Sequence, residues 1–127
     1  MINYNGGLEL DVKKGEVERF LKKWREASLG FIDFVPRRKN LEGLTQLGLT
    51  LSLARKILRG LKAQNYVSGP EADRDRDTKD IWVFGIQVGG SQVYIKIKIF
   101  KWGHEYRAKC LSFHPAEKPL RFPFAGG

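Results

Sequence analysis

Gln92-Val93-Tyr94-Ile95-Lys96-Ile97-Lys98-Ile99-Phe100 is the stretch on which the reading of this chain turns. Its residues alternate apolar and polar, and side chains on a strand alternate between faces with period two. Val93, Ile95, Ile97 and Ile99 therefore share a dry face, and Gln92, Tyr94, Lys96 and Lys98 share the other. Two lysines on one face require water or anions above them. At a rise of about 3.3 Å per residue, neighbours at i and i+2 stand about 6.5–7 Å apart. That is close to the separation of adjacent phosphates on a nucleic-acid strand. A phenol and two ammonium groups on one rigid ledge form a site suited to binding, and to cutting, RNA.

Outward from this strand the pattern stays β. Gly89-Gly90-Ser91 is a hairpin turn after a strand at Ile81–Val88, and Trp102-Gly103-His104-Glu105 turns into a third strand at Tyr106–Phe113. Upstream the period changes. Val17, Phe20, Leu21 and Trp24 form one stripe of a helix over 16–28. Phe31–Val35 reads as a short strand stopped by Pro36. Leu41, Leu44 and Leu47 suggest a second helix closed by Gly48. Thr50 is an N-cap for a third, with Leu51, Ala54, Ile57, Leu58 and Leu61 as its buried side. Residues 65–80 read as a loop. Residues 1–14 read as a hairpin around Asn5-Gly6-Gly7 or a loose arm, and the proline-bearing end over 115–127 as an extended tail. The expectation is one α+β domain over 1–127: a three-stranded antiparallel meander plus a short strand, with about three helices on one sheet face.

Composition bounds the partners. A net charge of +9 and a pI near 9.9 argue for a polyanion, nucleic acid before an acidic protein or an anionic membrane. The bland alternative is charge that serves solubility alone. Cys110 is the single cysteine, which excludes an intrachain disulfide and fits a reducing cytoplasm. No apolar run reaches the roughly 20 residues a bilayer span needs, and the opening residues do not read as a signal peptide.

Charge is uneven. From Tyr94 onward Lys96, Lys98, Lys101, Arg107, Lys109, Lys118 and Arg121 face only Glu105 and Glu117, a surplus of five. Tyr94, Phe100, Trp102, Tyr106 and Phe113 interleave with them; Phe100 and Phe113 read as core, Tyr94 as wet. On the third strand, alternation puts Cys110, Ser112 and His114 on one face and Lys109, Leu111 and Phe113 on the other. If Ser112 and His114 share the side of Tyr94 and Lys96, a proton-transfer set is assembled around an imidazole. A structural or merely superficial His114 is the plain alternative, and His104 receives no role. Asp73, Asp75 and Asp77 match the first half of a calcium loop, but Thr78 and Phe84 stand where glycine and glutamate are required. The readings left open are a self-neutralised loop, a magnesium site, and an acidic frame holding Arg74 and Arg76 toward a substrate. No phosphate-binding glycine loop, nucleophile elbow or Cys/His cluster is present.

Ile81-Trp82, then Gln92-Val93-Tyr94-Ile95-Lys96-Ile97 after a glycine turn, then Leu111-Ser112-Phe113 resemble, in order and spacing, the MqsR family of toxins from toxin–antitoxin systems. Phe34-Val35-Pro36-Arg37-Arg38-Lys39-Asn40, Tyr66-Val67-Ser68-Gly69-Pro70 and Ser112-Phe113-His114-Pro115-Ala116-Glu117 look closest to one subgroup. The resemblance runs from about Phe20 to Phe124. It implies a RelE-like fold and an endoribonuclease acting on mRNA. The family's active-site tyrosine falls on Tyr94. Its lysine on the strand entering the sheet falls on Val67, its glutamine after the Ile-Trp pair on Val83, and its last lysine on His114. The resemblance also implies an antitoxin with a zinc-binding and a helix-turn-helix part.

These readings converge on an mRNA interferase that needs no metal or other cofactor. The ribose 2′-hydroxyl is the nucleophile. Tyr94, Lys96 and His114 are the expected catalytic groups, and Lys98, Arg74, Arg76, Arg37, Arg38 and Lys109 the expected RNA contacts. The alternative is a non-catalytic RNA- or ribosome-binding module, and behind it a structural domain for an acidic protein partner.

Overall fold

The computed structural model describes residues 2–74 and 78–126, with side chains described over 14–74 and 79–126. Helix α1 (Ile2–Ser28) is followed by strand β1 (Ile32–Phe34), α2 (Arg38–Leu47), α3 (Leu51–Arg59) and a single 3-10 turn at Ala63–Asn65. Then come β2 (Tyr66–Asp73), β3 (Thr78–Val88), β4 (Ser91–Trp102) and β5 (Glu105–Pro115). The strands form one mixed sheet in the order β1-β5-β4-β3-β2, with β1 parallel to β5 and every other pair antiparallel.

The apolar face of β4 is the floor of the core: Val93, Ile95 and Ile97 are fully buried. Val17, Leu21 and Trp24 of α1, Leu44 of α2, and Ala54 and Leu58 of α3 close over it, so the helices lie on one sheet face as the alternation requires. The Trp24 indole donates to the Leu58 carbonyl at 2.8 Å, which satisfies the one polar atom of a buried ring and ties α1 to α3. Thr50 caps α3 by accepting from the Leu53 amide at 3.1 Å, and Gly48 ends α2 with φ 68°.

Three expectations are corrected. Residues 2–14 belong to α1, not to a hairpin or a loose arm: once a helix is nucleated at the Val17–Trp24 stripe, each added turn costs little, and this outweighs the turn chemistry of Asn5-Gly6-Gly7. The segment read as a loop over 65–80 supplies β2 and the start of β3, so the sheet has five strands rather than a three-stranded meander and a short strand. Its alternation is broken by register shifts at Tyr66/Ser68, Ser68/Glu71 and Glu71/Ala72. Gly69 holds the irregular strand against β3; its φ is 109°, and a Cβ there would stand 2.7 Å from the Ile81 carbonyl oxygen.

The third correction is on β5. Lys96 pairs with Ser112, but Ile97 pairs with Cys110, so Leu111 is an extra residue. One extra residue inverts the alternation on either side of it. Cys110 and Phe113 therefore both face the core, each fully buried, while Ser112 and His114 face away with Lys96 and Tyr94. The three residues expected on one face are split by this bulge.

β1 covers only Ala108–Cys110 of β5, and α2 covers the edge beyond it. Asn40, wholly buried, does this chemically: its amide nitrogen donates to the Val35 and Leu111 carbonyls at 2.9 and 3.0 Å, and its oxygen accepts from the Phe113 amide at 3.0 Å. The side chain thus satisfies backbone groups that a longer β1 would have paired.

Candidate active site

On the face of the sheet away from the helices, Tyr94 and His114 occupy directly paired positions of β4 and β5, and their ring centroids are 5.4 Å apart. They form the floor of a cleft of about 700 Å³. One wall comes from the start of α2, where Pro36 turns the chain so that Arg37, Arg38 and Lys39 stand over the β5 edge. The other comes from the C-terminal segment, with Ala116, Glu117, Lys118 and Leu120. Four cations and one carboxylate line the cleft, so its field favours an anion.

The Arg37 guanidinium is anchored rather than neutralised. It donates to the Leu111 carbonyl at 3.0 Å and to the Ser112 hydroxyl at 2.8 Å, and neither acceptor carries charge. The Ser112 oxygen is thereby engaged as an acceptor. Arg38 pairs with Glu42 at 2.7 Å and Lys39 with Glu117 at 2.7 Å, both in solvent, where such pairs are weak and exchange readily for a ligand. The Lys39 contact holds the Glu117 carboxyl below the usual range, so the lone acid of the cleft is ionised at neutral pH.

His114 is 6 % exposed. Its Nδ1 lies 2.9 Å from the Pro115 carbonyl oxygen. A carbonyl only accepts, so Nδ1 carries a proton in this contact, and the neutral ring keeps its lone pair on Nε2. That is the arrangement of a base with a fixed orientation. Gly43 makes room for it: a Cβ there would lie 2.9 Å from the His114 Cα.

Lys96 stands one step along the same face. Its ammonium is 3.2 Å from the Glu71 carboxylate and 5.9 Å from the centre of the Tyr94 ring. Partial burial pulls its pKa down, but the bond to Glu71, the Glu71 charge and the Tyr94 phenol together outweigh it and leave the net shift upward. Lys96 is therefore held as a cation at neutral pH.

The remaining expected contacts divide. Arg37 and Arg38 join Tyr94 and His114 in the cleft. Lys98 does not: its ammonium is 2.6 Å from the Asp73 carboxylate, and both side chains are 9 % exposed. The Lys98 charge, expected to meet RNA, is paired inside the fold instead, and Asp73 leaves the calcium-like acidic run. β2 lies two strands from β4, and a strand unreadable in the sequence brought the carboxylate over. Lys109 shares the outer face but lies further along it, 4.0 Å from Asp33 and over the Phe100 ring. Arg74 is exposed in the turn after β2, outside the cleft lining. Arg76, with Asp75 and Asp77, lies outside the described residues. Of the two positions where the resemblance expected polar groups, Val83 is buried opposite Lys96 and Val67 is half-buried on β2.

Sequence reasoning missed Lys39 and Lys118 as walls and Asn40 and Gly43 as supports. The Arg37-Arg38-Lys39 run was a visible signal; no local pattern reveals that α2 docks on β5. Nor does one reveal that the tail crosses the sheet, where Leu120 donates its amide to the Gln92 side chain at 2.9 Å and its side chain fills the space above Gly85. No family model, curated protein or solved structure matches the chain.

Proposed function

We propose that this protein is a metal-independent endoribonuclease, an mRNA interferase of the MqsR-like, RelE-like toxin type, acting in the cytoplasm and restrained by a partner antitoxin. The observation that carries the reading is the Tyr94–His114 pair at the floor of a basic cleft, with an anchored Arg37 beside it. The order and spacing of the motifs around Ile81-Trp82, Tyr94 and Ser112-Phe113-His114 support it.

The chemistry uses groups the substrate supplies. Arg37 and Lys96 hold the phosphate. The imidazole Nε2 takes the 2′-hydroxyl proton as that oxygen attacks its own phosphorus. The P–O5′ bond breaks, the 5′-oxygen takes a proton from solvent water while the imidazolium returns its own to solvent, and the products are a 2′,3′-cyclic phosphate and a 5′-hydroxyl. The added negative charge on the phosphorane is where fixed cations act most strongly, because they stabilise the transition state more than the ground state. Tyr94 orients the phosphate beside the imidazole. DNA lacks the nucleophile and is not cut.

The test is cleavage of an RNA and its DNA counterpart by wild type, His114→Gln and Tyr94→Phe, with EDTA present. Wild type is expected to cut only RNA, and His114→Gln to lose about 10²–10⁴-fold in rate while its fold, read by circular dichroism, is kept. A wild type that binds RNA and never cuts it overturns the enzyme and leaves a binding module.

A further inference from the structure

We propose that the outer sheet face beyond the cleft is a track for single-stranded RNA, on which Phe100 and Trp102 stack bases lying to one side of the cleaved bond. This rests on the ribonuclease reading and specifies its substrate as unpaired RNA. Phe100 and Trp102 have the same parity on β4 as Tyr94 and stand about 20 and 26 Å from it at about 3.3 Å per residue. Phe100, read from the sequence as core, is half-buried on this face, and Trp102 is 62 % exposed. Two rings at i and i+2 on one strand face form a patch rather than a single exposed residue.

The rings are paired with cations. The Lys109 ammonium lies 5.6 Å from the Phe100 centroid, and the Arg107 guanidinium 5.3 Å from that of Trp102. At the β1 edge Arg55 lies 4.6 Å from the centroid of Phe31, a further exposed ring. A ring beside a cation offers each nucleotide a stacking surface for its base and a charge for its phosphate, and a guanidinium plane itself stacks bases. The acids nearby do not close the track: Arg107–Glu105 at 3.4 Å, Lys109–Asp33 at 4.0 Å and Lys96–Glu71 at 3.2 Å are all partly exposed pairs. The face is continuous with the cleft through Lys96 and Ser112, which are paired neighbours. A duplex keeps its bases stacked on one another, so only an unpaired strand uses these rings.

The test uses a DNA hexamer, which stacks like RNA and resists cleavage, against a dinucleotide, each dye-labelled and followed by fluorescence polarisation. The hexamer is expected to bind at least about 10-fold more tightly, Trp102→Ala to lose about 10-fold of that, and Trp102→Phe to retain it. Tryptophan emission should fall on hexamer binding, because Trp24 and Trp82 are buried and Trp102 is the exposed indole. Equal affinities for the two lengths, or full affinity in Trp102→Ala, overturn the track and leave the face to a protein partner. The two readings fail separately. Hexamer binding that depends on Trp102, without RNA cleavage by wild type, sinks the enzyme and keeps the track. RNA cleavage indifferent to length and to Trp102 does the reverse.

Discussion

The Lys98 ammonium meets the Asp73 carboxylate at 2.6 Å beneath the outer sheet face, and this pair spans β3 to join β4 to β2. A buried pair contributes little net stability when whole, yet removing one member leaves the other charge in a poor solvent. Lys98→Met alone is expected to lose about 3–5 kcal/mol of unfolding free energy. Lys98→Met with Asp73→Leu should recover most of it, as read from urea midpoints. RNA affinity of the double variant should match wild type, because Asp73 already holds the Lys98 ammonium inside the fold; a weakened double variant would return Lys98 to the interface.

The Lys96–Glu71 contact is of the opposite kind, a partly exposed pair that keeps its charge at the surface. The folded pKa of Lys96 lies above its ordinary 10.5, despite opposing burial, because Glu71 and Tyr94 favour the ammonium. A raised folded pKa stabilises the fold fully below the unfolded value, and that stability is lost as pH rises through the folded value. The window is therefore alkaline. Glu71→Gln should flatten the decline of stability above pH about 10.5, by less than about 1 kcal/mol because the pair is partly exposed. Comparing melting temperatures of the two proteins across that range checks the sign. Near neutrality the two curves should run parallel, and divergence there would mean that Glu71 serves another partner.

What the sequence made legible follows from where its pattern is local. The alternation of β4 gave both faces of the central strand because nothing interrupts it: Val93, Ile95 and Ile97 are core, and Tyr94 and Lys96 look outward. The helix stripes and the caps at Gly48 and Thr50 were equally local, although Leu51, counted on the buried side, is 37 % exposed. Leu111 was invisible, since a bulge is a property of pairing with β4 and not of β5 alone. So was the fate of Lys98, which turns on a carboxylate two strands away on β2. The Tyr94–His114 apposition was stated as a condition and depends on that unseen bulge; without the extra residue, a His114 in phase with Cys110 would point into the core.

Gly43 sets how closely α2 approaches β5, and through it the position of His114. A methyl group there would stand 2.9 Å from the His114 Cα and Cβ and from the Phe113 carbonyl oxygen, all part of a paired strand that cannot yield cheaply. Gly43→Ala should therefore lower cleavage by at least about 10-fold and cost about 1–3 kcal/mol as an overpacked contact. Gly15→Ala is the contrasting change in α1, where the new methyl meets only the end of the Arg19 side chain at 3.5 Å. It should raise stability by about 1 kcal/mol from helix propensity alone and leave cleavage unchanged. Thermal melts and initial cleavage rates of the two variants decide the matter, and an active Gly43→Ala protein would mean that the α2–β5 spacing does not govern the imidazole.

Arg37 and Arg74 separate cleft charge from surface charge. Both were expected to touch RNA, but only Arg37 lines the cleft, held by the Leu111 carbonyl and the Ser112 hydroxyl with its charge unspent on an acid in those contacts. Each phosphate neutralised on a single strand releases counterions and contributes about 0.7 to the slope of log affinity against log salt. Arg37→Gln should lower that slope by about 0.7 and weaken binding most at low salt, whereas Arg74→Gln should leave the slope as it is. Because Arg37 also braces the bulge at Leu111, its loss should slow cleavage beyond the loss of binding, appearing in kcat as well as KM. Equal slopes for Arg37→Gln and wild type would place the phosphate elsewhere than the α2 wall, and with it the case for cutting at Tyr94 and His114 would go.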